Sequence, residues 1–291
     1  MQAVGFEAED PSDRRRLAFA SNLLIGGASF VFQGLSRLGS RGAIHRTERY
    51  WARVVSRFLR IDMDITGAEY VDTRHQYVVL SLHEGFADVL ALMCLPLPLR
   101  FLARGELFGW PVLGRYLEAT GQVRVDERPS RSSLRQLYRR VGEVFDSGDS
   151  LVVFPQGSIL GVEVGFQAGA FRIARRLGYP ILPVVVTGSH RVWEHPYSPT
   201  VRFDQRISMC VLPPIPSDQM DPAGFRVLER RMKAIALDPA QSPARRFVPE
   251  RDGWWDGYRY EVDADFPVLR NRLARRRAGF REGQEEEAPH R

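Results

Sequence analysis

Short apolar runs of strand length, separated by stretches with helical spacing, constrain the fold of this chain more than any other feature. Four segments have the length and pattern of strands, the first alternating and the others continuously apolar: Ile61–Ile65, Tyr77–Ser81, Ser150–Phe154 and Ile181–Thr187. Helical patterns occupy three further segments: Glu48–Leu59, Ser132–Ser147 and Ala168–Leu177. Strands that are apolar on both faces are typical of parallel sheets covered by helices. The pattern therefore predicts an α/β layered fold with a mostly parallel central sheet flanked by helices.

The composition indicates one large globular domain with appendages. Of the 291 residues 44% are hydrophobic, which suffices for a sizeable core and excludes disorder of the whole chain. Cys94 and Cys210 lie in apolar runs and show no paired spacing, so neither a disulfide framework nor a zinc site is predicted. The formal net charge is +6, and Lys233 is the only lysine. An arginine-rich surface favours anionic partners such as phospholipid headgroups, although biased codon usage explains the arginine content equally well.

An apolar segment near the N-terminus, Leu17–Ser36, contains no charged residue and is long enough to cross a bilayer as a helix. Its polar residues and the central pair Gly26 and Gly27 lower its hydrophobicity and favour a break. We therefore expect a helix in the membrane interface or a shallow re-entrant hairpin, with an ordinary core helix as the alternative. Because the preceding residues are polar and acidic, they do not resemble a cleaved signal peptide, and the segment is expected to stay on the mature protein.

The composition changes again after about Pro239, where an aromatic cluster, an arginine-rich run at Arg270–Arg277 and an acidic end follow one another. The aromatic residues are expected to pack on the domain rather than to sit at a lipid interface. The arginine run lacks interleaved aromatic residues, so nucleic-acid binding is not predicted. We predict three parts: an N-terminal membrane-associating segment at 1–40, an α/β domain at 41–240 and a C-terminal appendage at 241–291.

His83 stands directly after the apolar strand Tyr77–Ser81, and Asp88 follows five residues later. In α/β sheets ligands bind where strands end and helices begin. The spacing puts the two residues on different faces of a continuous helix, so we expect His83 on the loop before a helix that begins near Asp88. An imidazole that titrates near neutrality suits a general base, and a carboxylate on its other nitrogen fixes its tautomer. By itself the spacing also fits a partly buried histidine beside an unrelated aspartate.

Three further segments follow in order: GQVRVDER at Gly121–Arg128, FPQGS at Phe154–Ser158 and PILPV at Pro180–Val184. Together with HEGFAD at His83–Asp88, this series resembles the glycerolipid and lysophospholipid acyltransferase family, which includes the bacterial 1-acylglycerol-3-phosphate acyltransferases. That family carries HxxxxD, GxIFIDR, FPEGTR and a VPIVPV-like strand. The resemblance covers about Val78–Thr187, and four motifs in one order are far more specific than any one of them.

The resemblance implies a membrane-associated O-acyltransferase that moves a fatty acyl group from acyl-CoA or acyl carrier protein to the hydroxyl of a lysophospholipid or related glycerolipid. It implies His83 as the general base and Asp88 as the residue that orients it. Because Gly157–Gly161 lacks the GxSxG order of a nucleophile elbow, direct attack without an acyl-enzyme is expected, and neither a metal nor a cofactor is implied. Backbone N–H groups near Gly157 or after His83 are the expected oxyanion donors. The enzyme is expected at the cytoplasmic face of the cell membrane, peripheral or shallowly inserted.

Two of the motifs depart from the family pattern at positions that face the acceptor in the family. Glu127 stands where the family has arginine, and Gln156 and Ile159 replace the glutamate and arginine of the third motif. The residues expected to contact substrate are Arg104, Arg124, Arg128, Phe154, Pro155, Gln156, Gly157 and Ser158. Either an arginine binds the acceptor phosphate in a different register, or the acceptor is not lysophosphatidic acid. A non-phosphate lipid or glycolipid acceptor, and a non-catalytic lipid-binding role, stay open as alternatives.

Overall fold

The structure is a computed structural model that describes residues 31, 34–35, 41–110, 112–126, 130–157, 164–193 and 203–236. Within these residues the strands are β1 (Asp62–Thr66), β2 (Val78–Ser81), β3 (Leu99–Arg104), β4 (Val123–Val125), β5 (Ser150–Val153), β6 (Ile181–Thr187) and β7 (Arg206–Val211). The α-helices are α1 (Arg41–Phe58), α2 (Asp88–Leu92), α3 (Leu113–Ala119), α4 (Arg131–Asp146), α5 (Gly169–Leu177), α6 (Ser189–Val192) and α7 (Pro222–Ala236). Short 3-10 helices lie at Ala68–Tyr70, Gly105–Gly109 and Ser217–Gln219.

The strands form one sheet in the order β1-β7-β6-β2-β5-β3-β4, in which the described pairs are parallel except for β6 with β7. The predicted α/β fold with a mostly parallel sheet is thus confirmed. Every residue of β2, β5 and β6 is buried. These central strands are the three continuously apolar runs of the sequence, because helices cover them on both faces and leave no polar side.

Each face of the sheet carries its own core, since successive side chains of a strand point to opposite faces. Val79 of β2 packs in the core that contains Ala52 of α1 and Leu90 of α2. Its neighbour Leu80 packs on the other face in the core that contains Val141 of α4, with further side chains from α5 and α7. The sheet is therefore the middle of three layers, and the carboxyl ends of its parallel strands meet at the edge where His83 follows β2.

Three strands were not predicted from the sequence, namely β3, β4 and β7. β3 carries Arg100 and Arg104 within six residues, and β4 has three residues. The first helix is also longer than predicted, because it begins at Arg41 rather than at Glu48. The unpredicted strands lie on either side of β6, β2 and β5, which form the predicted centre of the sheet.

The predicted N-terminal segment Leu17–Ser36 lies outside the described residues, apart from 31 and 34–35, as does the whole appendage at 241–291. The predicted division of the chain into three parts therefore stays a prediction. In the part of the chain that the structure describes, no helix combines the length and the apolarity needed to cross a membrane.

A buried network of charged side chains joins α1 to the amino ends of β3 and β5. Arg100 Nη1 donates to Glu48 Oε2 over 3.0 Å, and its Nε lies 3.1 Å from Asp149 Oδ2. His45 Nε2 lies 2.8 Å from the other oxygen of Asp149, and the Tyr116 hydroxyl donates to Glu48 Oε1 over 3.2 Å. Glu48, Arg100 and Asp149 are each at most 4% exposed. Because each buried charge here has an oppositely charged partner, the network fastens α1 to the sheet.

A second buried ion pair joins α7 to the loop that precedes α5. Lys233 Nζ lies 3.0 Å from Glu229 Oε1, and the same oxygen accepts a hydrogen bond from the backbone N–H of Phe166 over 2.9 Å. Lys233 and Glu229 are both buried. The only lysine of the sequence therefore serves the packing of α7 and is withdrawn from the protein surface.

Replacing Arg100 with methionine should lower the free energy of unfolding by about 3–5 kcal/mol, because Glu48 and Asp149 then lose the cation between them. Urea denaturation followed by circular dichroism measures this change. The control is Arg206→Met: Arg206 pairs with Asp64 over 2.6 Å on the exposed surface, and its loss should cost about 0–1 kcal/mol. Equal effects of the two substitutions would contradict a stabilising role for the buried network.

The stability contributed by His45 should depend on pH. Burial alone lowers the pKa of His45, but hydrogen bonds to Asp149 and Glu48 outweigh it and raise the pKa above its ordinary value of 6.5. A raised folded-state pKa means that this stabilisation is complete below pH 6.5 and is lost as the pH rises through the folded-state pKa. We expect the difference in unfolding free energy between the wild type and His45→Gln to shrink over that range in a urea series. A difference that grew with pH would be inconsistent with this charge balance.

Candidate functional site

His83 lies on the turn between β2 and α2, and Asp88 is the first residue of that helix. Asp88 Oδ2 accepts three hydrogen bonds: from His83 Nδ1 over 2.7 Å, from the N–H of Glu84 over 2.8 Å and from the N–H of Gly85 over 3.2 Å. The Asp88 side chain is fully buried, whereas 17% of the His83 side chain is exposed. The structure thus brings the two residues together in the arrangement expected from their spacing, with the histidine on the loop and the aspartate reaching back to it.

The ring of His83 is held in both position and orientation. Donation to Asp88 requires the proton on Nδ1 and leaves Nε2 as the basic nitrogen. One face of the ring stacks on Phe154, with centroids 3.8 Å apart and planes inclined by 14°. Phe154 directly follows β5, the neighbour of β2 in the sheet. Two adjacent strand ends therefore fix the imidazole, and Nε2 is the atom available to a substrate proton.

The third motif forms a tight turn after β5. Gly157 has φ of +65°, a conformation that favours glycine, and its N–H donates to the carbonyl of Phe154 over 3.0 Å. The carbonyl of Pro155 accepts a hydrogen bond from the N–H of Gln167 over 2.8 Å. Gln156 is fully buried, so its side chain packs inside the protein rather than on the open edge. Ser158 and Ile159 lie outside the described residues.

Two of the arginines predicted to bind the acceptor lie on the same sheet edge as His83. Arg104 is the last residue of β3 and Arg124 lies in β4, two and three strands away from β2. At the usual strand spacing, β3 and β4 therefore lie about 10 and 15 Å from β2. Arg104 Nη2 lies 3.1 Å from Glu106 Oε1, and Arg124 Nε donates to Asp126 Oδ1 over 3.1 Å. Arg128 lies outside the described residues.

A cavity of about 850 Å³ runs along β4 and α4 beside the second motif. Arg124 and Asp126 line its wall together with Gln136 and Arg140 of α4. The second motif therefore faces an open, polar groove beside β4, the outermost strand on this side. His83, by contrast, follows β2, the middle strand of the sheet.

Three of the oxyanion donors suggested by the sequence are already used within the protein. The N–H groups of Glu84 and Gly85 donate to Asp88, and that of Gly157 donates to Phe154. The structure therefore does not support these groups as donors to a substrate oxygen. In the residues that it describes, it also groups no three histidine, cysteine or acidic side chains in a way that would hold a metal ion.

Sequence reasoning missed Glu84, which follows His83 directly and is 1% exposed. Its Oε2 accepts a hydrogen bond from the N–H of Gly188 over 3.1 Å and lies 3.2 Å from His190 Nδ1. The available signal was a second acidic residue, besides Asp88, in a strand-to-helix turn between apolar segments; if buried, such a residue requires a partner. The identity of that partner has no local signal, because His190 is 106 positions away.

Comparisons with known proteins support the resemblance seen in the motifs. Residues 62–187 match the family model described as Acyltransferase. A 1-acyl-sn-glycerol-3-phosphate acyltransferase from Limnanthes alba is 26% identical over 54% of this chain and 56% of its own length. The chloroplastic 1-acyl-sn-glycerol-3-phosphate acyltransferase BAT2 from Brassica napus is 31% identical over 58% of this chain and 49% of its own. The chain thus spans about half the length of these curated relatives.

The fold matches that of the 1-acyl-sn-glycerophosphate acyltransferase PlsC from Thermotoga maritima, with a TM-score of 0.65 and 17% identity. The match covers 80% of this chain and 98% of that structure. The resemblance predicted from four motifs is therefore confirmed: residues 62–187 match the Acyltransferase family model, and the relatives and the solved structure described here are 1-acylglycerol-3-phosphate acyltransferases.

Proposed function

We propose that this protein is an O-acyltransferase that moves a fatty acyl group from acyl-CoA or acyl carrier protein to the hydroxyl of a lysophospholipid or related glycerolipid. The observation that carries the proposal is the 2.7 Å hydrogen bond between His83 and the buried Asp88, beside Phe154 of the third motif. The family match and the relatives described above supply the reaction class.

The proposed chemistry is one direct transfer. Nε2 of His83 removes the proton of the acceptor hydroxyl as that oxygen attacks the thioester carbonyl. The new C–O bond gives a tetrahedral centre, the C–S bond then breaks, and the leaving thiolate takes the proton from the imidazolium. Asp88 holds the ring during attack and stabilises the imidazolium through Nδ1. The stacked ring of Phe154 keeps the imidazole from rotating away from the substrate.

The proposed acceptor carries a phosphate, and Arg104, Arg124 and Arg128 are the residues proposed to bind it. Two observations favour a second candidate, an acyltransferase whose acceptor is a lipid without phosphate. Arg104 and Arg124 lie within ion-pair distance of Glu106 and Asp126, which offset their charge. Gln156 and Ile159 also replace charged residues of the family motif. A neutral headgroup needs hydrogen bonds from this edge rather than net positive charge.

The proposed site of action is the cytoplasmic face of the cell membrane, to which the enzyme is bound peripherally or by shallow insertion. Besides the apolar segment Leu17–Ser36, the surface of α1 supports this proposal. Tyr50, Val54 and Phe58 are spaced four residues apart on one helix face, and all three are exposed. Arg46, Arg53 and Arg57 of the same helix are exposed beside them. An apolar stripe flanked by arginines suits an interface with anionic lipid.

Replacing His83 with alanine should reduce kcat by about 10²- to 10⁴-fold, because the base is removed while the binding residues stay in place. The measurement is acyl transfer from acyl-CoA to lysolipids, with circular dichroism to verify that the variant is folded. The matched control is His75→Ala, since 63% of the His75 side chain is exposed, and its activity should equal that of the wild type. Unchanged activity of His83→Ala would rule out His83 as the general base.

Replacing Arg104 with glutamine distinguishes the two acceptor classes. If the acceptor is phosphorylated, loss of one charge-assisted hydrogen bond should raise its KM about tenfold and change kcat little. The measurement is the turnover of a panel of lysolipids with and without phosphate, with Arg206→Gln as the control for general loss of positive charge. Faster wild-type turnover of phosphate-free lipids, with a KM insensitive to Arg104→Gln, would replace the first candidate by the second.

A further inference from the structure

The side chain of Glu84, the residue that follows His83 in the turn, contacts the short segment Gly188–Trp193. Its Oε2 receives the N–H of Gly188 and lies 3.2 Å from His190 Nδ1. The side chains of Glu84 and His190 are 2% and 11% exposed. A carboxylate so buried requires these donors, so the contact constrains where the turn can lie.

The same segment holds the turn at three other points. The N–H of Ala87 donates to the carbonyl of Trp193 over 3.2 Å. The rings of Phe86 and Trp193 pack edge to face with centroids 4.6 Å apart. A Cβ at Gly85 would lie 2.7 Å from the Cα of His190, so the two backbones approach too closely for a side chain between them. Four consecutive residues of the turn, 84–87, are therefore seated on Gly188–Trp193.

The residues that contact Gly188–Trp193 also supply hydrogen bonds that align Asp88. The N–H groups of Glu84 and Gly85 both donate to Asp88 Oδ2, the atom that also accepts from His83. The other oxygen, Oδ1, is buried and has no hydrogen-bond partner among the described residues. A shift of Glu84 therefore moves a donor of Asp88 directly, and with it the acceptor that fixes the tautomer of His83.

We propose that Glu84 and His190 form a positioning pair that seats the turn and keeps Asp88 aligned with Nδ1 of His83; this rests on the acyltransferase function proposed above. The pair touches no reacting atom and acts through the backbone of the turn. Gly188–Trp193 begins directly after the matched residues 62–187, so this support comes from outside the family match. The pair consequently couples the carboxyl end of β6 to the catalytic turn after β2.

The test compares His190→Leu, which removes the donor to Glu84, with His190→Asn, whose side-chain amide keeps a donor near the position of Nδ1. We expect His190→Leu to lower kcat by about ten- to a hundredfold while KM for donor and acceptor changes less than about twofold. His190→Asn should recover most of kcat. The control is His75→Leu on the exposed surface, which should match the wild type in kcat and KM.

A second readout separates this proposal from the proposed function. Two-bond ¹⁵N–¹H spectra of the histidine side chains show which ring nitrogen of His83 carries the proton, whether or not acyl transfer is detected. We expect Nδ1–H in the wild type and a mixture of tautomers in His190→Leu. A wild type with no transferase activity but this tautomer shift would refute the function and support the pair.

If His190→Leu does not fold, Gly85→Ala is the second variant, because its added methyl group displaces the turn without removing a polar group. It should give the same tautomer mixture and, where transfer is measurable, the same selective loss of kcat. Either folded variant with the wild-type tautomer and with kcat within twofold of the wild type would overturn the proposal.

Discussion

A buried carboxylate is stable only where donors surround it, and Asp88 imposes this requirement on the turn between β2 and α2. Its Oδ2 receives two backbone N–H groups and the Nδ1–H of His83, so the chain from 83 to 88 curls around one oxygen atom. The same curl turns the side chain of Glu84 inward and brings the imidazole against Phe154. The shape of the proposed catalytic site thus follows from satisfying one buried charge.

The two edges of the sheet use buried charge differently. At the amino edge, Arg100 lies between Glu48 and Asp149, and the charges are neutralised within the protein. At the carboxyl edge, Asp88 accepts a hydrogen bond from His83 and orients its ring, which is partly exposed. The network around Arg100 is satisfied entirely by protein groups, which suits the attachment of α1 to the sheet. The network around Asp88 leaves Nε2 of His83 available for proton transfer. The two sites are therefore separated by the length of the strands.

The centre of the fold was predictable because strands covered on both faces must be apolar, and β6 was predicted to the residue at Ile181–Thr187. β3 was not, since the charge of Arg100 is offset by partners distant in the sequence. The His83–Asp88 contact was predictable because both partners belong to one turn. The contact of Glu84 with His190 is formed only by the pairing of β2 with β6, and no local pattern announces it.

Lys233 is the only side-chain amine in 291 residues, and it lies buried against Glu229. An amine-reactive reagent therefore reaches it when the packing around α7 and the loop at Phe166, which shares that carboxylate, opens locally. Because this loop follows the third motif, the labelling rate of Lys233, followed by mass spectrometry, reports local opening near that motif. The arginine-rich composition thus leaves the protein with a single side-chain amine as a built-in chemical reporter.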